Sequence, residues 1–268
     1  MMRFSTLAPA ALLLAAATPA IAQDDTAPPP TVTVTGGATA ITDYRFRGLT
    51  QTNDDPALQG TVNVNHVSGF YAGVWASTID GGPDGSTPLL TGYGDAEVDL
   101  YAGFTRTLSS GVGFDIGLLY YYYPDAASGL NTDFFEPYAS VNYTIGPVNA
   151  KVGANYAWSG QDGLNFTAGS DDSLYVAGDL AVAIPNSVLT LKAHLGFTNG
   201  SLGLANPLAS DDNYTDWSLT AEMAKAPFKA GISYVDTDIT NDTIAGVGRY
   251  AQTLGRGATV LGYVGVSF

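Results

Sequence analysis

Residues 256–268 read Arg-Gly-Ala-Thr-Val-Leu-Gly-Tyr-Val-Gly-Val-Ser-Phe and are the last of the sequence. Counting back from Phe268, every second position is apolar or small: Val266, Val264, Gly262 and Val260. The positions between them are on average smaller or more polar. Because side chains alternate between the two faces of a β-strand, this pattern predicts a strand with one face suited to hydrocarbon and one suited to water.

The final aromatic residue adds a second signal. A last strand that ends in an aromatic residue with a free carboxylate resembles the closing strand of bacterial outer-membrane β-barrel proteins. The resemblance implies that Phe268 is an assembly signal, recognised by the barrel-assembly machinery. A barrel of this kind requires further strands of the same pattern upstream.

The first 22 residues have the pattern of a signal peptide. Arg3 supplies a weak positive start, residues 7–17 are largely apolar, and Ala20-Ile21-Ala22 is a small-x-small cleavage site. No later run of about 20 apolar residues is long enough for a transmembrane helix. We therefore predict a signal peptide at 1–22, a flexible tail at 23–31 and an outer-membrane β-barrel at 32–268.

Composition excludes several function classes. The formal net charge is −15, from 25 acidic and 10 basic side chains, which argues against nucleic acid as a partner. The absence of cysteine excludes a disulfide framework and thiolate metal sites, and two histidines are too few for a histidine-rich metal site. We predict no cofactor and no metal. The 32 glycines and 16 tyrosines fit a β-barrel better than a soluble α/β enzyme.

Strand-like segments recur along the whole mature chain, and their number is about twelve. An even number suits an antiparallel up-and-down barrel whose termini lie on one side. The predicted strands are 32–46, 57–67, 70–79, 95–107, 112–123, 134–144, 148–158, 173–184, 188–198, 214–224, 228–236 and 256–268.

The predicted connections sort by length. Short turns rich in Gly, Pro, Ser or Asn lie at 68–69, 108–111, 145–147, 185–187 and 225–227. Long loops lie at 47–56, 80–94, 124–133, 159–172, 199–213 and 237–255. Short and long connections alternate strictly, as do the periplasmic turns and extracellular loops of outer-membrane barrels. This pattern predicts a Gram-negative outer-membrane location with both termini periplasmic.

Residues 43–77 contain the most distinctive text: Asp-Tyr-Arg-Phe-Arg-Gly-Leu-Thr-Gln-Thr at 43–52, Pro-Ala-Leu-Gln-Gly at 56–60 and Ser-Gly-Phe-Tyr-Ala-Gly-Val-Trp-Ala-Ser at 68–77. Together with Glu-Val-Asp-Leu-Tyr-Ala-Gly at 97–103 and Tyr-Tyr-Pro at 122–124, this run resembles the TorF family of porin-like proteins of proteobacteria. The resemblance covers about residues 35–125. It implies an outer-membrane barrel with a pore function.

We assign the polar face of each strand to the lumen. A Lys or Arg side chain that faced lipid at the bilayer midplane would destabilise the barrel by ~2–4 kcal/mol. Extending strand 1 by the same parity places Asp43, Arg45 and Arg47 inward, with Tyr44 and Phe46 outward. These inward residues fit either a constriction that screens ions or an ion-pair network that locks strand 1. The predicted pore-lining residues are Asp43, Arg45, Arg47, Glu97, Asp99, Asp115, Glu136, Lys151, Asp179, Lys192, His194, Asp216 and Glu222. Lys229 also has inward parity. The excess of acids predicts a mild cation preference.

The sequence does not favour an enzyme, although some twelve-stranded outer-membrane barrels resemble phospholipases with Ser and His on the outer face. His194 is predicted to point inward, and His66 lies next to a short turn. Neither has an evident Ser or carboxylate partner by spacing. We therefore predict no catalytic residues and interpret both histidines as structural.

The pattern as a whole predicts a porin-like channel for passive diffusion of small hydrophilic solutes or ions. Its partners are outer-membrane lipid, lipopolysaccharide and the assembly machinery. One alternative is a plugged structural or adhesive barrel. Another is a ligand-specific uptake barrel, with inward Tyr121, Tyr123 and Tyr138 favouring an aromatic ligand.

Overall fold

The computed structural model describes residues 30–82, 90–164, 172–202, 213–239, 243–244, 248–249 and 255–268. The predicted signal peptide and most of the predicted tail lie outside these ranges. Within them, no helix is long and apolar enough to cross a membrane.

Twelve strands among the described residues form one closed antiparallel barrel, which confirms the predicted fold. Each strand pairs with its neighbours in sequence, and the last strand pairs with the first. The strands are β1 Val32–Ile41, β2 Ala57–His66, β3 Phe70–Gly81, β4 Gly94–Thr107, β5 Val112–Tyr122, β6 Phe134–Ile145, β7 Val148–Ala157, β8 Ser173–Ala183, β9 Leu189–Gly200, β10 Asn213–Lys225, β11 Phe228–Thr237 and β12 Thr259–Ser267. Two small strand pairs, Arg45–Phe46 with Leu49–Thr50 and Thr243–Ile244 with Gly248–Arg249, and a 3₁₀ turn at Asp162–Leu164 lie in the connections.

Connections of two lengths alternate around the barrel, as predicted. One end, called the turn side, carries connections of two to five residues, such as 146–147 and 184–188. The other end, called the loop side, carries the long connections, such as 42–56 and 238–258. The start of β1 and the end of β12 both lie on the turn side.

The outer face of the barrel is apolar. Its exposed side chains include Leu58, Val62, Leu100, Ile116, Val141, Val152, Leu180, Leu195, Leu219, Ile232 and Val264. A continuous exposed apolar surface of this kind is the reverse of what a water-soluble protein presents. The barrel is therefore built for an apolar surrounding.

Tyrosines on the inner face lie flat against the wall because glycines of adjacent strands leave room for them. Four of these tyrosines face their glycine directly in the strand register: Tyr101 with Gly73, Tyr71 with Gly103, Tyr138 with Gly117, and Tyr263 with Gly231. Tyr175 crosses Gly196 diagonally. A Cβ atom at any of these glycines would collide with the tyrosine ring. Such aromatic–glycine pairs fix strand register and local curvature.

The seam between β12 and β1 completes the barrel. The register aligns Gly37 with Ser267 and Ile41 with Tyr263. Beyond Ser267, the amide of Phe268 donates to the carbonyl of Gly36 (2.9 Å) and the amide of Gly36 donates to the carbonyl of Phe268 (3.0 Å). The ring of Phe268 covers the position that a side chain at 36 would occupy. The terminal residue thus makes part of the closing contact.

Candidate functional site

The predicted pore-lining residues all lie on the inner side of the barrel. Those on strands alternate with exposed apolar residues, for example Leu100 between Asp99 and Tyr101. All have buried side chains except Asp179, whose side chain is 23% exposed. The described interior is thus lined with charge but closely packed. Whether these residues line a conducting pore stays a prediction.

Strand 1 ends earlier than predicted, at Ile41 rather than at residue 46. Residues 42–56 instead turn into the barrel, where Arg45–Phe46 pairs with Leu49–Thr50. We call residues 45–50 the inner hairpin. Its two central residues, Arg47 and Gly48, have φ angles of 49° and 82°, as a two-residue type I′ turn requires. Because Gly48 permits this turn, the chain reverses instead of continuing along the barrel wall.

The prediction that Tyr44 and Phe46 face outward is therefore wrong. Tyr44 is fully buried inside, where its hydroxyl donates to Glu97 Oε2 (2.9 Å) and its ring meets Trp75 edge-on at 5.4 Å. Phe46 packs against the inward ring of Tyr121. The outward assignment assumed that strand 1 continued to residue 46. Because the strand ends at Ile41 and the chain turns inward, inward and outward side chains no longer alternate over these residues.

The base of the inner hairpin is organised around Asp43 and Arg45. Asp43 Oδ1 accepts hydrogen bonds from Thr50 Oγ1 (2.7 Å) and Thr52 Oγ1 (3.2 Å), and Asp43 Oδ2 pairs with Arg45 Nε. Arg45 also pairs with Asp54 and donates to the carbonyl oxygen of Gly255 (2.5 Å). Since Asp43 and Arg45 are both buried, these partners satisfy charges that would otherwise be costly. The base thus has its own polar core.

Asp54 is the outermost member of this cluster, with half of its side chain exposed. Burial of the rest raises the pKa of Asp54, and the nearby Asp43 carboxylate adds to that rise while Arg45 opposes it. The Asp54 carboxyl is therefore harder to ionise than that of an isolated aspartate.

The tip of the inner hairpin reaches across the lumen through Arg47. Its Nη2 donates to Glu136 Oε1 on β6 (2.5 Å), and its guanidinium carbon lies 4.3 Å from the ring centre of Tyr175 on β8. Its carbonyl oxygen accepts from the hydroxyl of Tyr214 on β10 (2.9 Å). One residue therefore connects the hairpin, which starts from β1, to three strands on another part of the wall.

Next to this tip lies a polar cluster around His194. Its Nδ1 lies 2.7 Å from Asp179 Oδ1, and its Nε2 lies 2.7 Å from the Tyr175 hydroxyl and 3.2 Å from Asp216 Oδ1. Spacing in the sequence did not reveal these partners, because the residues come from β8, β9 and β10 and meet only through the register. None of these contacts involves a Ser or Thr hydroxyl or a Cys thiol.

Closer to the turn side, the wall carries the lysines. Lys192 Nζ donates to Glu222 Oε1 (2.7 Å), and the Tyr263 hydroxyl donates to Glu222 Oε2 (2.6 Å). Lys151 faces Asp179 directly in the register between β7 and β8. Acids and bases here alternate from strand to strand, so their charges largely cancel locally.

Two features of the structure were missed from the sequence. Arg256 was read as the start of the last strand, but it precedes β12 and is buried inside. His66 was given no partner, yet its Nδ1 lies 2.7 Å from Ser68 Oγ on the exposed turn side. Over the described ranges, no three His, Asp or Glu side chains are placed to hold a metal ion.

Comparison with solved structures places the fold among porins and channels. The chain is similar to a structure described as "KdgM porin" (TM-score 0.55, 8% identity, covering 87% of this chain and 99% of that chain). It is similar to a NanC porin structure (TM-score 0.54, 14% identity, 88% and 99%). It is also similar to the COG4313 outer membrane channel from Pseudomonas putida F1 (TM-score 0.53, 12% identity, 91% and 98%). At these identities the likeness concerns the fold alone.

No curated protein sequence matches the chain. The resemblance to the TorF family therefore stays a prediction. A family model described as "Bacterial protein of unknown function (Gcw_chp)" matches residues 24–268, and the chain belongs to this family.

Proposed function

We propose that the protein is an outer-membrane porin-like channel for passive diffusion of small hydrophilic solutes or ions. The proposal rests on the opposite chemistry of the two barrel faces. Exposed residues such as Leu195 and Leu219 cover the outside, while Lys192 and Asp216, on the same strands, face the interior. Lipid accepts the first face and not the second, so the barrel encloses a polar path.

The proposed location is the outer membrane of a Gram-negative cell, with the turn side in the periplasm. Outer-membrane barrels have short periplasmic turns and long extracellular loops, and this asymmetry is present here. Solved porins and an outer membrane channel of the same fold support the proposal. The barrel-assembly machinery and lipopolysaccharide are the partners that such a location implies.

Cation preference follows from the charges of the interior. Among the described residues, inward acids outnumber inward bases. The acids are Asp43, Glu97, Asp99, Asp115, Glu136, Asp179, Asp216 and Glu222; the bases are Arg45, Arg47, Lys151, Lys192, Lys229 and Arg256. Asp43, Glu97 and Glu136 lie at or beside the inner hairpin, which reaches into the lumen, so a permeating ion would pass close to these acids.

Planar-bilayer recording of the refolded barrel tests the proposal. We expect discrete conductance steps and, in a salt gradient, a reversal potential of the sign that cation preference requires. Asp179→Asn should reduce that preference, because Asp179 is the most exposed of the inward acids. Asp236→Asn, the same substitution on the outward parity of β11, is the matched control and should leave the reversal potential unchanged. A folded barrel without conductance steps would contradict the channel.

A plugged structural or adhesive barrel is the second candidate, and the inner hairpin favours it. Arg45, Arg47 and Glu136 are each at most 6% exposed, so the hairpin and wall leave little free space around them. Such a barrel would remain silent in bilayers under all voltages. Its function would then depend on the long loops.

A further inference from the structure

We propose that the inner hairpin is a gate and that the ion pair between Arg47 and Glu136 is its latch. The inference deepens the proposed channel function and rests on it. In the closed state, described above, the hairpin tip spans the lumen. In the open state the tip withdraws toward the loop side, while the base of the hairpin stays attached.

The base and the tip differ in how they are held. The base has its own polar core at Asp43 and Arg45, and backbone hydrogen bonds fix it: Gln51 N donates to Tyr44 O (2.7 Å) and Thr50 N donates to Gly255 O (2.9 Å). The tip makes its polar contacts with the wall through Arg47, while Phe46 adds a ring contact with Tyr121 and Gly48 packs beside Thr237. One residue can therefore release the tip without dismantling the base.

Glu136 keeps hydrogen bonds after the latch opens. Its Oε2 accepts from the Tyr121 hydroxyl (2.9 Å) and from Asn155 Nδ2 (3.1 Å), independently of Arg47. A buried carboxylate that lost its only partner would strongly resist opening. Two remaining donors lower that cost, so the open state is accessible.

Arg47 gains hydrogen bonds when it leaves. In the closed state its Nη1 is buried and has no hydrogen-bond partner within the part of the chain that the structure describes. A buried donor without an acceptor is unfavourable, and water would satisfy it. The loss of the ion pair is thus offset in part by solvation of the guanidinium.

The backbone at the tip also favours release. Arg47 has a φ of 49°, in the left-handed region that favours glycine or asparagine over arginine at this turn position. Strained residues of this kind persist where surrounding contacts hold them, and they cluster at switch regions. These terms oppose the latch and bring the free energies of the closed and open states closer together, as a gate requires.

Cysteine labelling in solution tests the gate without relying on conduction. The chain has no cysteine, so Leu49→Cys places a single thiol in the buried part of the hairpin. A charged methanethiosulfonate reagent should modify it slowly in the otherwise unchanged barrel. Adding Glu136→Gln should increase the labelling rate by about tenfold, because the latch stabilises the closed state.

Glu222→Gln in the same Leu49→Cys background is the matched control. It breaks a lumen ion pair of the same kind, Lys192 with Glu222, that does not contact the hairpin. The labelling rate should stay at the parental value. Equal rates for Glu136→Gln and the parent, or an equal rise in both variants, would overturn the gate.

A second variant separates the latch from the turn. Arg47→Asn removes the ion pair but places a residue suited to the type I′ turn, so the hairpin should keep its shape while its tip is released. Rapid labelling in this variant supports the gate, and slow labelling contradicts it. A barrel that conducts but shows no change in labelling retains the channel and loses the gate. A barrel that labels as expected but never conducts loses the channel.

Discussion

The ring of Tyr138 lies across Gly117 of the neighbouring strand, in the space that a side chain there would fill. Its hydroxyl contacts that of Tyr71, which donates to Asp115 Oδ1 (2.6 Å). The glycine therefore decides how far the tyrosine protrudes into the lumen.

Replacing Gly117 with alanine should push Tyr138 inward. We expect single-channel conductance to fall by roughly a factor of two, since conduction depends on pore diameter. The free energy of unfolding should fall by about 1–3 kcal/mol through overpacking. Gly178→Ala is the control, because a Cβ atom there meets nothing closer than 4.0 Å. Equal effects of the two substitutions would show that the ring position does not matter.

Phe268 and Gly36 should be needed for barrel closure. Deleting Phe268 removes both terminal backbone hydrogen bonds to Gly36. Gly36→Val would bring a side chain into collision with the Phe268 ring and with the Thr61 carbonyl oxygen. Both variants should yield less folded protein in the outer-membrane fraction, measured as the heat-modifiable species on gels. Gly60→Val serves as a control, since the nearest heavy atom to a Cβ at Gly60 lies 3.8 Å away. Normal yields for the Phe268 deletion would refute its role in assembly.

His194→Ala should destabilise the barrel by about 3 kcal/mol, because Asp179 and Asp216 would lose their shared buried partner. Urea unfolding of the refolded barrel measures the change. His66→Ala, at the exposed turn-side histidine, should stay within about 0.5 kcal/mol of the parent. A similar small effect at His194 would mean that the cluster adds no net stability.

Arg45→Ala should cost about 3–5 kcal/mol, since it leaves Asp43 buried without its cation. The loss should appear first as proteolysis within residues 42–56, where the hairpin would lose its base. Arg106→Ala, which removes an exposed arginine near the turn side, is the comparison and should leave that segment resistant. Proteolysis of both variants at the same rate would contradict the role assigned to Arg45.

Most of the fold was predictable from the sequence because apolar and polar residues alternate along each strand with the period of two that a β-strand has. Leu189, Leu191 and Leu195 alternate with Lys192 and His194, and a period of two residues has one structural interpretation at that length. The turn residues then separated short connections from long ones. Predicted strand boundaries agree within about three residues except at the end of strand 1.

The interior contacts were not predictable in the same way. Arg47 and Glu136 are 89 residues apart, and no local pattern relates them. The turn itself did leave a signal, since Arg47-Gly48 lies between short β-prone segments, and X-Gly in such a position is typical of a hairpin. The signal was overlooked because the alternation of inward and outward residues was extended through residues 32–46 as one strand. A charge-rich segment at the end of an apolar strand is a reason to test for a turn inward.

The hydrogen bonds between Gly36 and Phe268 join the two ends of nearly the whole folded sequence. A closed barrel has no free edge, so β1 and β12 each lack one neighbour until they pair with each other. Before that pairing, a sheet of these twelve strands has two unpaired edges. Unpaired edges are templates for pairing with other chains, so the contact between Gly36 and Phe268 also protects this sequence from association.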